Sequence, residues 1–268
     1  MTQRSLWELF VTYVVRSYPR ILSLTWQHLY ISGIALAITL AICIPLGIYL
    51  TRNEKLAPYV IGLANVFQTI PSLALLGFLI FLFGIGNDNA IAALVLYAML
   101  PVIQNTYTGL KNVPPSLIQA ARGMGMTERQ ILLKVQLPLA RPVLIAGIRV
   151  ATVWVIGTAT LAAAIGGGGL GRLIFSGLAS IRNEVILAGA IPATILALFA
   201  DQCLKVLENY YSPEVRAKRL ARLGPLEPDK PWDSDQDETA LADETEEGEE
   251  MDSESPSDSD KTKGEDVS

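Results

Sequence analysis

The chain is predicted to be an all-α integral membrane protein with about five transmembrane helices. Three observations carry that reading. Mean hydropathy is +0.37 across 268 residues, although the C-terminal stretch is strongly acidic. Apolar runs lie at about 27–50, 58–84, 89–110, 142–165 and 185–208, each near the roughly 20 residues that a helix needs to cross a bilayer core. Basic residues gather in alternate connections between those runs, as they do in the inner loops of membrane proteins.

The elements follow in order. Residues 5–21 place Leu6, Phe10, Tyr13, Val14 and Ile21 roughly on one face, away from Arg4, Glu8, Thr12, Arg16 and Arg20. This is the pattern of an interfacial amphipathic helix, with Trp7 and Tyr18 as headgroup anchors. No cleavable signal peptide is expected, because the arginines follow the first apolar residues. The second run contains Asn65, Gln68, Thr69 and Ser72 around Pro71. Proline removes one helical hydrogen bond, so a kink is expected there. Two readings fit the polar set: a transport path or gate at a broken helix, or ordinary hydrogen bonding between spans. The third run is weakened by Pro101, Gln104 and Asn105.

Residues 111–141 are the polar, basic connection before the fourth run. Asn112 to Pro115 break the preceding helix, and Ser116 is placed to cap a short helix through Gln119, Ala120, Ala121 and Arg122. Gly123 and Gly125 permit a turn. Thr127 then caps a second helix with Glu128 in its first turn, and Ile131, Leu132 and Val135 share one side of it. Such a corner suits docking into a groove of another protein; a plain amphipathic loop on the membrane surface fits the same residues. Gly166, Gly167, Gly168, Gly169 and Gly171 follow the fourth run and formally contain G-x-G-x-x-G. No strand precedes them, so a dinucleotide site is rejected. They read as a flexible turn into a short re-entrant or surface helix, serving either as an outer contact or gate or as a simple hinge. Arg149 and Asp201, near the ends of the last two runs, are expected to snorkel to the interface rather than pair.

Charge divides the chain. Residues 1–222 carry 18 Lys+Arg and 8 Asp+Glu, whereas residues 223–268 carry 3 and 18, giving +10 and −15 within the total of −5. The tail from about Gly224 lacks apolar residues to bury and is expected to be disordered. The basic connections at Arg52–Lys55, at 111–141 and after the fifth run set the orientation, with the N-terminus outside and the C-terminus cytoplasmic. Arg4, Arg16 and Arg20 oppose that rule, but the longer loop outweighs them. A single histidine, His28, argues against a His-based metal site or catalytic triad. Cys43 and Cys203 read as small buried hydrophobes. No Walker A motif occurs, so ATP hydrolysis by this chain is not expected.

Gln119-Ala120-Ala121, Gly125 and Val135-Gln136-Leu137-Pro138 match the spacing of the EAA coupling loop of ABC importer permeases: Glu-Ala-Ala, three residues, Gly, nine residues, Ile-x-Leu-Pro. Gln119 replaces the family's Glu and Val135 its Ile. The stretches QTIPSLALLGFLI, YAMLPVIQNTYTGL and IGGGGLG occur in the family's order, and the resemblance covers about residues 24–211. The chain thus resembles the permease subunit of an osmoprotectant importer of the glycine betaine, carnitine and choline type. The resemblance implies the type I importer permease fold, with 1–23 as an N-terminal amphipathic segment, 24–211 as the transmembrane domain and 212–268 as a cytoplasmic tail. It implies cytoplasmic ATPase subunits that carry the ATP and Mg, a separate external solute-binding protein, a second permease, a lipid setting in the plasma membrane of a bacterium, and no nucleic acid. Transport would run by alternating access. It assigns Gln119, Ala120, Ala121, Gly123, Gly125, Leu137 and Pro138 to ATPase coupling. A related importer for another small solute is the alternative. A secondary transporter is disfavoured, because the candidate charges sit at span ends rather than along a path.

Overall fold

The computed structural model describes residues 6–211; the acidic tail lies outside the described residues. All regular structure there is helical. The first helix, α1 (Leu6–Arg52), runs 47 residues without a break. At 1.5 Å per residue it is about 70 Å long, more than twice a bilayer core. The amphipathic segment and the first span, expected as separate pieces, are therefore one helix. Its half from Leu24 onward buries Ile31, Ala35, Cys43 and Leu50. Trp7 and Tyr18 stand exposed.

The second apolar run is not one kinked helix. It divides into α2 (Ala57–Thr69) and α3 (Ser72–Phe83), set at 105° to each other. Pro71 lacks an N–H and pushes the preceding residue out of the helical region. Ile70 is accordingly extended, with φ −68° and ψ 131°. The third run, by contrast, holds as one helix, α4 (Asn87–Lys111), despite Pro101. Pro101 is buried within it, and one turn on the Asn105 side-chain amide donates to the Pro101 carbonyl at 2.8 Å, with the side chain packed where a Cβ on Gly147 would stand.

Between α4 and the next span lie α5 (Pro115–Gly123) and α6 (Glu128–Ile131). A π-helical turn, Leu132–Gln136, then leads into α7 (Leu137–Thr158), which tightens into a 3₁₀ segment, Ala159–Ile165. The short α8 (Gly171–Ala179) and the long α9 (Asn183–Tyr211) complete the described chain. Among the described residues, four helical runs are long and apolar enough to cross a membrane, or five if the bent α2–α3 pair counts as one span.

The core sits where α1, α4 and α7 meet. Ile31, Ala35 and Cys43 pack there with Leu94, Ala98, Val102, Ala151 and Val155. Small residues let the backbones approach, the usual device between helices in lipid. A Cβ on Gly47 would lie 2.7 Å from the Thr106 side chain, and one on Gly147 would lie 2.8 Å from the Pro101 carbonyl.

Candidate functional sites

The corner at 111–141 is built almost wholly from local signals. Pro115 opens α5 and the residue before it, Pro114, occupies the cap without a side-chain hydrogen bond. Ser116 therefore lies inside the helix and is not its cap. Proline at the first helical position needs no N–H partner, which removes the need for one. The helix ends in a Schellman motif: Met126 N–H donates to the Ala121 carbonyl at 3.1 Å and Gly125 N–H to the Arg122 carbonyl at 2.9 Å. Gly125 has φ +78°, the left-handed value this motif requires. Gly123 is the last helical residue and does not form the turn, contrary to expectation.

Thr127 caps α6 through a full capping box. The Gln130 N–H donates to its hydroxyl at 3.4 Å, and its own N–H donates to Gln130 Oε1 at 2.8 Å. Arg122 and Glu128 join the two helices at 2.9 Å. Both are exposed, so this pair contributes little. Ile131 is buried, and Leu132 and Val135 are half-buried, which fixes the inward side. Gln119 and Ala120 face out, along with Leu117, Met124 and Leu133. Ala121 is buried. The chain does not stop at Leu137-Pro138. Leu137 N–H reaches back to the Leu132 carbonyl, one residue further than an α-helix requires. Pro138 has no N–H to offer the next carbonyl, and the π turn takes up the mismatch. The corner and α7 thus form one continuous helical rod.

The polar set of the second run is spread around the α2–α3 break. Asn65 is exposed, Gln68 is half-buried, and the Thr69 hydroxyl donates to the Val66 carbonyl at 2.8 Å. Pro71 is exposed at the bend. Ser72 lines a small cleft of about 10 Å³ shared with Leu76, Tyr97 and Thr158. That is at most the room for one water. Two residues missed from the sequence hold α3, one at the break and one toward its far end. The Tyr97 hydroxyl, from α4, donates to the Ile70 carbonyl that the bend has freed. Asn89, fully buried, donates to the Leu76 carbonyl at 3.2 Å and the Gly84 carbonyl at 2.9 Å. A tyrosine inside an apolar run was the available signal, since a buried hydroxyl seeks a partner.

The glycine run is not the flexible turn expected. Gly167, Gly168, Gly169 and Gly171 are buried, and only Gly166 is exposed. Gly168 N–H donates to Asn87 Oδ1 at 2.8 Å, and Gly169 N–H to Gln27 Oε1 at 3.2 Å. A Cβ on Gly169 would lie 2.9 Å from His28 Nδ1, and one on Gly171 would overlap the Thr160 carbonyl outright. His28 in turn donates from Nε2 to the Ile156 carbonyl at 3.0 Å. The run is a packed junction of α1, α4, α7 and α8, which explains the need for so many residues without side chains.

A third cluster joins α7 to α9. Arg149 donates to both Asp201 oxygens, at 2.6 and 3.1 Å, and to Glu208 at 3.3 Å. Arg149 and Asp201 therefore pair instead of snorkelling separately. Asp201 and Glu208 lie two turns apart on one face of α9, so a single guanidinium reaches both. Arg141 lies 5.5 Å over the Tyr211 ring at the same seam. Next to this cluster, α7, α8 and α9 leave an open groove of about 560 Å³, lined by Gly157, Thr160, Ala190, Ala193, Thr194 and Asp201. Cys43 is buried, but Cys203 is exposed on α9, contrary to expectation. Its neighbour Asp201 turns inward, which leaves Cys203 on the outer side of the helix. Among the described residues, no three His, Cys, Asp or Glu side chains converge as a metal site would require.

A bundle of this topology, with a helical corner leading into a long span, is the permease fold of type I ABC importers. The inward-facing MetNI methionine ABC transporter superposes with a TM-score of 0.64 at 26% identity, over 70% of this chain and 94% of that one. An amino acid ABC transporter solved with histidines shares the fold, with a TM-score of 0.60 at 19% identity over 74% and 97% of the two chains. The chain belongs to the family of binding-protein-dependent transport system inner membrane components, whose model matches residues 33–217. It is thus a multi-pass, non-enzymatic permease subunit of the plasma membrane. Among its relatives are a carnitine transport permease protein of Listeria monocytogenes, 47% identical over 80% of this chain and 97% of that protein, and a glycine betaine/carnitine/choline transport system permease protein of Bacillus subtilis, 46% identical over 76% and 94%. A choline transport system permease protein of Bacillus subtilis is 48% identical over 70% and 87%.

Proposed function

We propose that the chain forms the membrane path of an ATP-driven importer for a small quaternary-amine compatible solute of the glycine betaine, carnitine or choline class. The observation that carries this is the near-full-length similarity to permeases named for those solutes, at 46–48% identity. A second permease, a pair of cytoplasmic ATPases that hold the ATP and Mg, and a separate external solute-binding protein complete the importer. The corner would seat in the ATPase, with Gln119 and Ala120 outward, Ala121 inward, Gly125 setting the turn, and Leu137 and Pro138 starting the rod that carries motion into the bundle. Gly123 contributes only as the end of α5. Asn65, Gln68, Thr69, Pro71 and Ser72 border the bend in the second span, and a path there would have to widen the small cleft beside Ser72. The glycine run would stand at the external end as a fixed junction.

The test is uptake of labelled glycine betaine, carnitine and choline by vesicles containing the full complex. Solute-stimulated ATP hydrolysis with uptake of at least one of them supports the reading, and uptake of none overturns it. Orientation is tested separately, with the corner and C-terminus inside and the N-terminus outside. A cysteine introduced at Thr127, on a background lacking Cys43 and Cys203, should resist an impermeant reagent in intact cells and react after lysis.

A further inference from the structure

We infer that Arg149 is a positioning residue that transmits movement of the coupling corner to α9, through its paired grip on Asp201 and Glu208. The inference rests on the importer reading above and adds a residue and a route to it.

Three observations support the route. First, α6, the π turn and α7 are continuous, so the corner cannot shift without shifting α7. Arg149 lies on that rod, three helical turns beyond Pro138. Second, the grip is specific in shape. A planar guanidinium meets both Asp201 oxygens at 2.6 and 3.1 Å and still reaches Glu208 at 3.3 Å. The three side chains are 23–29% exposed, so solvent screens them less than the open pair at Arg122 and Glu128, which is 57–59% exposed. One cation holding two acids resists sliding along α9, because losing either acid leaves a charge half-buried without its partner. Lys205, one turn beyond Asp201, is exposed and lies between the acids on the sequence, so it moderates their excess charge without replacing Arg149.

Third, α9 connects the grip to the groove and to the glycine junction. Asp201 closes one end of the groove between α7, α8 and α9. Further along, α9 meets α8 and the glycine junction, where a Cβ on Gly189 would lie 2.9 Å from the Leu170 carbonyl. A shift of α7 that carries α9 with it therefore changes the groove. It moves the α7 and α9 walls together against α8, whereas a shift that leaves α9 behind only slides one wall past the other. Among the described residues the other charged contact between α7 and α9 is Arg141 over the Tyr211 ring, which has no bidentate geometry to fix a register.

The experiment compares uptake per ATP hydrolysed in vesicles containing the full complex with binding protein and glycine betaine. The variants are Arg149→Gln, Glu208→Gln, and the exchange Arg149→Asp with Asp201→Arg. For Arg149→Gln, hydrolysis should stay within about twofold of wild type while uptake per ATP falls about tenfold, the scale of an ordinary coupling free energy. Glu208→Gln should lower the ratio less, and the exchange should recover part of it. A purely structural role would lower hydrolysis, uptake and membrane abundance together and leave the ratio unchanged. An Arg149→Gln complex with a wild-type ratio, or an equal fall in both rates, would overturn the inference. A wild-type complex without solute-stimulated hydrolysis would instead overturn the importer reading, and this inference with it.

Discussion

The corner at 111–141 and the glycine run at 166–171 are both loops between helices, and both were singled out by their glycines. Their physics is opposite. The corner is held by its own residues: a Schellman motif on Gly125, a capping box on Thr127 and an exposed ion pair. Nothing lies within contact distance of a Cβ on Gly125, and its requirement is the backbone angle alone. The glycine run is held by residues far away in sequence, Gln27, His28 and Asn87, and packs back on Thr160 in the preceding turn. Gly167, Gly168 and Gly171 are needed for space, and Gly166 and Gly169 for space and a left-handed backbone angle together. An exposed corner that carries its own structure can move as a unit and still present the same surface to a partner. A packed junction cannot move without rearranging four helices.

The largest expected effect breaks the junction. Gly171→Val places a branched side chain on the Thr160 carbonyl, and the protein should fail to accumulate in the membrane or lose several kcal/mol of stability, as overpacking beyond any relaxation does. Detergent-solubilised melting and membrane abundance measure this. Gly125→Val tests the other side of the comparison. It forces a β-branched residue into the left-handed region at a cost of about 1–3 kcal/mol, confined to an exposed turn. Abundance should stay within about twofold of wild type while uptake falls at least tenfold, and a variant lost from the membrane would show that the corner is not locally autonomous.

Tyr97→Phe removes the hydroxyl that partners the Ile70 carbonyl and should cost about 1–2 kcal/mol, with lower thermal stability and little change in abundance. The smallest effect belongs to the cap. Thr127→Ala should cost about 1 kcal/mol, felt as faster hydrogen exchange at Gln130 and Ile131 and not as a shift in global melting. A global shift of the same size would mean that the corner unfolds together with the bundle.

Where sequence reasoning succeeded and failed follows the same division. The cap at Thr127, the turn glycine at 125, the break near Pro71 and the short helix after the glycine run were all legible, because each depends on neighbours within a few residues. The cap assigned to Ser116 failed even locally, because a pair of prolines moved the cap to Pro114 and the helix start to Pro115. The weakness assigned to the third span failed because packing overrides it: Pro101 sits buried among neighbouring helices, in a helix that continues through it. The separation of the amphipathic segment from the first span failed for a different reason: Pro19 lies near their boundary, yet α1 runs through it and through Pro45, and composition alone cannot show that two faces with different partners share one helix.

The sequence by itself determined the number and place of the apolar runs, the local architecture of the corner and the family pattern carried by Gln119–Pro138. Those features rest on periodicity, caps and backbone angles, which act over less than one helical turn to a few turns. Only the tertiary structure decided that Arg149 holds Asp201 and Glu208, that Tyr97 serves the break beside Pro71, and that the glycine run is buried against Gln27 and His28. Each of these joins residues from 27 to more than 140 positions apart. A charge, a hydroxyl or a missing side chain announces that a partner is needed, but which partner it finds is settled by how the helices pack.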